Sequence, residues 1–406
     1  MEIRVRTVIL RLVVVLTTIQ LFYSINGALN RCLTSSMDDQ FTGLGPLAPS
    51  FGTGRSMAEM SRRKDMDSRQ NPRNLDSTGI RSNGQRTQRK THQLPLKDLV
   101  NIGVENSCPN SGLFLFNDTV ILDTLDDRAS RGRRIPKIIH VTSKTRCMPQ
   151  EFISVLQEWT TKLPDHSFFF HNQQAMEYFL FEKSWPEFPH LSQVLRCTKG
   201  GAGMADVWRA LMLYEYGGIY TDIDNVPAKF DSNTIRDDDD AFFVMEKSGI
   251  LSQYFFAARP RHPLLYLLVH HMLSRLLALN DVNMQIVSLI TGPGALRWAF
   301  CTFLNLQGPN FYYQGRNSAP SSACWNPDNG EARDRTFVGM NNFTVRLVGD
   351  ANNSDEYVAR DVIPDKNIIY RRMNMTYFRD LPKVETKTSC FQRIYEHYAA
   401  QFSDES

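Results

Sequence analysis

Two aspartates one residue apart, Asp222 and Asp224, are the residues of this sequence best suited to carry chemistry. They stand at the end of an apolar segment, Ile219 to Ile223, whose composition predicts a buried β-strand. Strand residues at positions i and i+2 point to the same side, so both carboxylates lie on one face if the extended geometry persists. Such hard oxygen ligands suit Mg²⁺ or Mn²⁺ bridging a diphosphate, whose departure the ion assists. The pair therefore predicts a site for a metal ion and a diphosphate.

The aspartate pair alone is weak evidence for a site, since two acidic residues one apart also occur by chance on solvated turns. The helix predicted before this strand strengthens the prediction. Met204 to Tyr216 has helical spacing and ends at a glycine pair. Asp206 and Arg209 lie three apart on one face of it, so they can form an ion pair or reach a ribose and a phosphate. The simpler alternative is a surface salt bridge that contributes less than about 1 kcal/mol.

Strands alternate with helices around these residues. The predicted elements are strands at Lys137 to Val141, Ser167 to Phe170 and Ile219 to Ile223, and helices at Glu151 to Trp159, Gln173 to Phe181 and Met204 to Tyr216. This alternation predicts an α/β fold with a mainly parallel sheet. In such sheets ligands bind at the carboxyl ends of the strands, which is where the aspartate pair falls.

The same segments resemble glycosyltransferase family 32, which includes yeast Golgi α-1,6-mannosyltransferases and related sphingolipid mannosyltransferases. Residues Ile135 to Thr142 are similar to the opening strand of that family, and Ala205 to Asp224 to its helix, glycine pair and DxD strand. Two later segments, Ala257 to Pro263 and Thr291 to Pro293, are similar to weaker downstream signatures. The resemblance spans a motif core of residues 135–296.

This resemblance implies a GT-A-type, Rossmann-like nucleotide-sugar-binding domain with additional C-terminal α+β elements. It also implies a nucleotide-sugar donor, a divalent metal, usually Mn²⁺ (or Mg²⁺), and retention of the anomeric configuration. The donor-binding residues that it implies are Val141 and Thr142 beside the base, Asp206, Arg209 and Asp222. By the same carry-over Asp224 would ligate the metal and Asp222 would contact ribose or metal-bound water, and the catalytic set would be Asp222, Asp224 and Arg209.

The sequence departs from the family pattern at two places. Family members commonly carry a tryptophan just after the first strand, where Ser143 stands here. Many of them also carry a late histidine followed by a Ser-Trp pair, and no such group follows Pro364. The base-side contact and the third metal contact of the family therefore have no evident counterpart.

The first residues predict a membrane-targeting element followed by a tether. Residues 1–33 contain an apolar stretch from Val8 to Ile25 behind Arg4 and Arg6, which suits either an uncleaved signal-anchor or a cleaved signal peptide. Residues 34–97 are polar with few aromatics and predict a disordered stem, and residues 98–406 would form the catalytic domain. We expect a single-pass type II protein of the Golgi (or ER) membrane with this domain in the lumen.

Sequons and cysteines agree with a lumenal location. Four acceptor sequons for N-glycosylation begin at Asn117, Asn342, Asn352 and Asn374. The seven cysteines contain no close CxxC pair, so a structural zinc site is not expected, whereas some disulfides are. The pairing cannot be read from the sequence, and the odd number leaves at least one cysteine free or bonded to another chain.

The net charge gives no support for nucleic acid as a partner. The net charge is only +3 in 406 residues, which gives no reason to expect nucleic-acid binding. The acidic run Asp237 to Asp240 is expected to be a solvated loop, because adjacent carboxylates cannot all face one ion.

The sequence thus predicts a metal-dependent, retaining hexosyltransferase. Its donor would be GDP-mannose or a UDP-sugar, and its acceptor a lumenal glycan or glycolipid. Two other classes stay open at this point. One is a catalytically silent, membrane-anchored carbohydrate-binding protein with the same fold. The other is a metal-dependent phosphoryl-transfer or nuclease-like enzyme that uses the same carboxylates.

Overall fold

A computed structural model describes residues 94–122, 132–198, 201–245, 251–278, 288, 290–304, 334–349, 355–360, 362–375 and 389–403. The α-helices are α1 (Leu96–Leu99), α2 (Gln150–Lys162), α3 (Gln173–Glu177), α4 (Leu191–Leu195), α5 (Gly201–Tyr216), α6 (Pro263–Ala278), α7 (Pro293–Phe303), α8 (Lys366–Arg372) and α9 (Cys390–Ser403). The strands are β1 (Phe114–Leu115), β2 (Ile138–Thr142), β3 (Cys147–Met148), β4 (Ser167–His171), β5 (Gly218–Thr221), β6 (Val226–Pro227), β7 (Ala241–Met245), β8 (Leu251–Ala258), β9 (Arg335–Val338), β10 (Thr344–Val348) and β11 (Val358–Ala359). A π-helix, Tyr178–Glu182, continues α3, and a 3-10 helix, Met340–Asn342, precedes β10.

Seven strands form one sheet in the order β4-β2-β5-β8-β7-β10-β9. The neighbours β4, β2 and β5 are parallel, as are β7 and β10, whereas β8 and β9 run antiparallel to their neighbours. The predicted α/β class is confirmed, but the expectation of a mainly parallel sheet is wrong. Only five residues separate β7 from β8, which is too short for the crossover that a parallel pair needs.

Helix α2 joins the parallel strands β2 and β4 as a βαβ unit and packs its apolar stripe against the sheet. Trp159 is fully buried at the end of that stripe and stacks on Phe255 of β8, with 5.6 Å between ring centroids. Its indole Nε1 donates a hydrogen bond of 2.7 Å to the main-chain oxygen of Asn225. The core thereby fixes the residue that directly follows Asp224.

Two small sheets complete the strands. Strand β3 pairs with β1, and β11 pairs with β6, so that a segment near residue 358 lies beside the chain just after the aspartate pair. Disulfides join Cys108 to Cys147 and Cys197 to Cys390, and Cys301 is also disulfide-bonded.

The predicted anchor lies outside the described residues, as does the predicted stem up to residue 93. In the ranges given above, no helix is both long enough and apolar enough to cross a membrane.

The expectation that the acidic run Asp237 to Asp240 is a solvated loop is wrong for two of its residues. Asp239 and Asp240 are buried rather than solvated, because arginines from distant parts of the chain pair with them. Arg346 of β10 bonds both oxygens of Asp239 at 2.9 Å, and Arg259 contacts Asp240 at 3.2 Å. Only Asp237 and Asp238 are exposed as predicted.

The glycine pair between α5 and β5 is required by both backbone conformation and space. Gly218 has φ +101°, and a Cβ there would lie 2.6 Å from the main-chain oxygen of Ile138. We expect Gly218→Ala to lower the free energy of unfolding by about 3 kcal/mol, since left-handed strain and a backbone clash add together. Gly201→Ala is the control, because a Cβ at Gly201 would meet nothing within 4 Å. Equal urea midpoints for the two variants would contradict this account.

Buried histidines make stability depend on pH. His140 of β2 is fully buried, and its Nε2 lies 3.0 Å from the main-chain oxygen of Gly217. Burial lowers the pKa of His140 from 6.5 to about 4, against the weaker effect of that hydrogen bond. The unfolded chain therefore binds the proton first, and the stabilisation present above pH 6.5 is lost as the pH falls toward 4.

We expect the free energy of unfolding to fall between pH 6.5 and 4.5, with His140 contributing about 2 kcal/mol of that fall. Urea titrations of His140→Gln across this range should show a correspondingly smaller slope. The exposed His190 provides the control, and His190→Gln should leave the slope unchanged. An unchanged slope in His140→Gln would show that His140 is not among the responsible groups.

Candidate active site

The aspartate pair lies at the carboxyl end of β5, next to the carboxyl ends of β2 and β4. Strand β5 ends at Thr221, one residue earlier than Asp222, and the backbone then turns, with the Asn225 N–H donating to the Asp222 main-chain oxygen at 3.4 Å. The predicted strand through Ile223 is therefore too long, and a turn rather than strand alternation positions the two carboxylates. Their predicted location at the ligand-binding edge of the sheet agrees with the structure.

Arg209 of α5 connects the helix to the strand end. Its Nη2 lies 3.4 Å from an oxygen of Asp206 and 3.4 Å from Oδ1 of Asp222. Its Nη1 donates to the main-chain oxygen of Gln253 in β8 at 2.5 Å, and its guanidinium lies over the Tyr220 ring at 4.5 Å. The predicted ion pair with Asp206 thus exists, but it is buried and extends to Asp222 as well.

The charges of this cluster influence one another. Burial lowers the pKa of Arg209, but the nearby carboxylates, Asp222 foremost, outweigh it, so the pKa is raised overall and the guanidinium stays charged. Burial raises the pKa of Asp222 to about 6, with Arg209 opposing and Asp224 adding to the rise. The Tyr220 hydroxyl also donates to Oδ1 of Asp222. Asp222 is therefore held in place by an ion pair with Arg209 and a hydrogen bond from Tyr220, while 31% of its side chain stays exposed.

Asp206 is the inner member of the cluster. It is buried on α5 and accepts a hydrogen bond of 2.8 Å from the Thr291 hydroxyl. Burial raises its pKa, against the opposing effects of Arg209 and Thr291. Contact between Asp206 and the nucleotide-sugar donor stays a prediction.

Asp224 has a cationic partner that the sequence did not indicate. Lys366, the first residue of α8, places Nζ 2.8 Å from Oδ2 of Asp224. Lys366 stands 142 residues away in the sequence and belongs to no motif, so no spacing argument could have found it. Gln253, Tyr220 and Asn225 were missed as well. Among the downstream segments, the signature containing Thr291 did point to a residue that contacts this cluster.

The two residues predicted beside the nucleotide base occupy the end of β2. The register with β5 pairs His140 with Tyr220, and Val141 and Thr142 follow at the carboxyl end of β2. The Thr142 hydroxyl donates to the His171 main-chain oxygen at 2.9 Å, and the Val141 side chain is wholly buried in the core. Any contact between Val141 and a base would have to use its main chain.

The candidate glycosylation sites Asn117, Asn342 and Asn374 are exposed, and Asn352 lies outside the described residues.

The carboxylates present fit a divalent ion that arrives with a diphosphate. Across the part of the chain that the structure describes, no group of three or more histidine, cysteine or acidic side chains could hold a metal alone. Asp222, with 31% of its side chain exposed, and Asp224, with 9%, offer hard oxygen ligands at the carboxyl edge of the sheet. Mg²⁺ and similar hard ions are commonly held by one or two carboxylates plus substrate phosphates and water. The two carboxylates therefore suit a metal site whose remaining ligands come from the substrate.

A carboxylate pair following a central strand of an α/β sheet, backed by the helix that carries Asp206 and Arg209, is the arrangement expected from the resemblance to glycosyltransferases of the GT-A type. In agreement, residues 105–241 match a family model described as "Glycosyltransferase sugar-binding region containing DXD motif". That range includes β2 and the aspartate pair. The two weaker downstream signatures lie beyond it.

Known proteins with detectable similarity point to one family. The chain is 26% identical over 190 residues to inositol phosphoceramide mannosyltransferase 1 of Schizosaccharomyces pombe, which covers 45% of this chain and 57% of that protein. It is 28% identical over 102 residues to the initiation-specific alpha-1,6-mannosyltransferase of Candida albicans, covering 24% and 26%. The family model and these relatives support the resemblance to glycosyltransferase family 32. The matched region spans little more than half the length of the first relative.

A solved structure, the PaToxG glycosyltransferase, aligns with 42% of this chain and 70% of its own at 19% identity, with a TM-score of 0.32. At that score the fold assignment depends on the sheet topology and the family match instead.

Proposed function

We propose that this chain transfers a hexose from a nucleotide sugar to a glycan or glycolipid acceptor, in a metal-dependent reaction that retains the anomeric configuration. The observation that carries the proposal is the pair Asp222 and Asp224, held at the carboxyl edge of the sheet beside Arg209, inside the region matched by the DXD family model. Mannose is the first candidate because the relatives are named as mannosyltransferases. GDP-mannose is accordingly the first donor to test, followed by UDP-sugars.

In this proposal some side chains bind the metal and the donor, and others orient the binding side chains. Asp224 would bind Mn²⁺ or Mg²⁺ directly, and Asp222 would contact ribose or metal-bound water. The ion, when bound, would stabilise the charge that develops on the departing diphosphate. Arg209 and Tyr220 keep Asp222 in one orientation through their contacts with Oδ1. The departing diphosphate would accept the proton of the acceptor hydroxyl. Detection of a product with inverted anomeric configuration by NMR would refute the retaining mechanism.

We place this domain in the lumen of the Golgi or ER, behind an N-terminal anchor in the type II orientation. Disulfides such as Cys108–Cys147 and Cys197–Cys390 support an oxidising compartment. The exposure of Asn117, Asn342 and Asn374 is compatible with N-glycosylation. Digestion of intact microsomes tests the orientation, because a lumenal domain resists added protease until detergent is present.

The activity is tested with the full chain, produced in a secretory host and incubated with GDP- and UDP-sugars and a mixture of glycan and glycolipid acceptors, with and without Mn²⁺. Mn²⁺-dependent sugar transfer supports the proposal and identifies the donor. Donor binding without turnover favours the catalytically silent carbohydrate-binding protein. Phosphate release or nucleic-acid cleavage without sugar transfer favours the phosphoryl-transfer class.

A further inference from the structure

The ion pair between Lys366 and Asp224 places a cation on the carboxylate proposed to bind the metal. The Nζ to Oδ2 distance is 2.8 Å, and only 9% of the Asp224 side chain and 23% of the Lys366 side chain are exposed. An exposed pair elsewhere in the chain, Lys229 with Glu356, has a similar distance of 3.0 Å but a lysine that is 69% exposed. The two pairs share their chemistry and differ in solvent screening.

The position of Lys366 is set by the packing of its helix. Ile369 and Met373 are buried in the core that also contains α2, and the Tyr370 ring lies 5.6 Å from that of Phe152. The residues just after α8 are attached to the loop after β2, where Lys144 donates to the main-chain oxygen of Asn374 at 2.6 Å. Lys366 is therefore presented to Asp224 by an anchored element.

The charges around Asp224 indicate how the ion pair with Lys366 affects metal binding. Among the residues that the structure describes, ion pairs join Arg209 to Asp206 and Asp222, and Lys366 to Asp224. Lys366 is thus a cation in direct contact with Asp224. A divalent ion that approached Asp224 would meet the ammonium group at its ligand oxygen, and like charges repel strongly where burial reduces screening.

We propose that Lys366 is a positioning residue that neutralises Asp224 in the free protein and keeps the affinity for a divalent ion low until the nucleotide diphosphate is present. The diphosphate brings additional negative charge, so the ion and the ammonium group can then both be accommodated. Binding of metal and nucleotide is accordingly cooperative. This inference depends on the proposed function, because it assigns Asp224 to the metal of that reaction.

The test compares the full-length protein with Lys366→Met and Lys229→Met. Free Mn²⁺ is measured by EPR in titrations with Mn²⁺ alone, with Mn²⁺ plus GDP, and with Mn²⁺ plus UDP. Circular dichroism verifies that each variant is folded, and Lys366→Arg retains the charge if Lys366→Met does not fold. We expect Lys366→Met to bind Mn²⁺ alone about tenfold more tightly than the natural protein, which is about 1.4 kcal/mol. Lys366→Arg and Lys229→Met should bind it as weakly as the natural protein does.

Nucleotide should also raise the Mn²⁺ affinity of the natural protein by a larger factor than that of Lys366→Met. The role of Lys366 is overturned if Lys366→Met and the natural protein bind Mn²⁺ equally well, or if Lys366→Arg binds Mn²⁺ more tightly. Neither result would contradict the proposed transferase function. Absence of Mn²⁺ binding by every protein, with or without nucleotide, overturns both this inference and the metal dependence of the proposed function. A purely structural lysine would change the thermal midpoint without changing Mn²⁺ affinity.

Discussion

Asp224→Asn is expected to reduce Mn²⁺-dependent sugar transfer about a thousandfold. The amide has nearly the shape of the carboxylate but lacks its charge, so the anionic ligand proposed to bind the metal directly becomes a weaker, neutral one. A loss of this size corresponds to about 4 kcal/mol of transition-state stabilisation, within the several kcal/mol that a metal ion supplies. Release of nucleoside diphosphate from the donor, measured at several Mn²⁺ concentrations, is the appropriate assay.

The control for this variant is Asp238→Asn, which removes a carboxylate from an exposed position of the acidic run. It should transfer sugar at the natural rate. Circular dichroism distinguishes loss of chemistry from loss of fold. If folded Asp224→Asn kept more than a tenth of the natural rate, the assignment of Asp224 as the metal ligand would have to be abandoned.

Local pattern was sufficient for the elements around the site. The apolar run that predicts a strand from Lys137 to Val141 appears as β2, shifted by one residue, and the helix predicted from Met204 ends at Tyr216 as expected. The helix is long enough for its periodicity to dominate, whereas the strand was identified as a short continuous apolar run. Because the glycine pair ends that helix, the approximate start of β5 could be predicted as well.

The remaining features depend on residues far apart in the sequence. Asp239 is buried because Arg346 reaches it, and an acidic run alone contains no information about that arginine. Cys197 and Cys390 are separated by 193 residues, and seven cysteines permit many pairings. Lys366 reaches Asp224 only because α8 packs on the core. Tertiary packing creates these contacts, so local propensity cannot reveal them.

Arg209→Met is expected to be the most destabilising substitution within the site. It would leave the buried Asp206 and the partly exposed Asp222 beside each other without the guanidinium that lies 3.4 Å from each. Removing one partner of a buried ion pair typically costs about 3–5 kcal/mol, because the remaining charge has no compensation. Urea unfolding at pH 7.5 measures the effect, and Arg335→Met, at an exposed arginine of β9, should stay within about 0.5 kcal/mol of the natural protein.

A second substitution distinguishes loss of charge compensation from loss of packing. Asp206→Asn introduced into Arg209→Met removes the charge of the buried carboxylate, so the double variant should regain part of the lost stability. If packing of the long arginine side chain were the main contribution, the added Asn would restore nothing. Arg209→Lys tests geometry, since a lysine keeps the charge but cannot direct a planar fork at both carboxylates and the Gln253 main-chain oxygen. We expect Arg209→Lys to fold yet lose about a hundredfold in sugar transfer, because Asp222 is no longer held in one orientation.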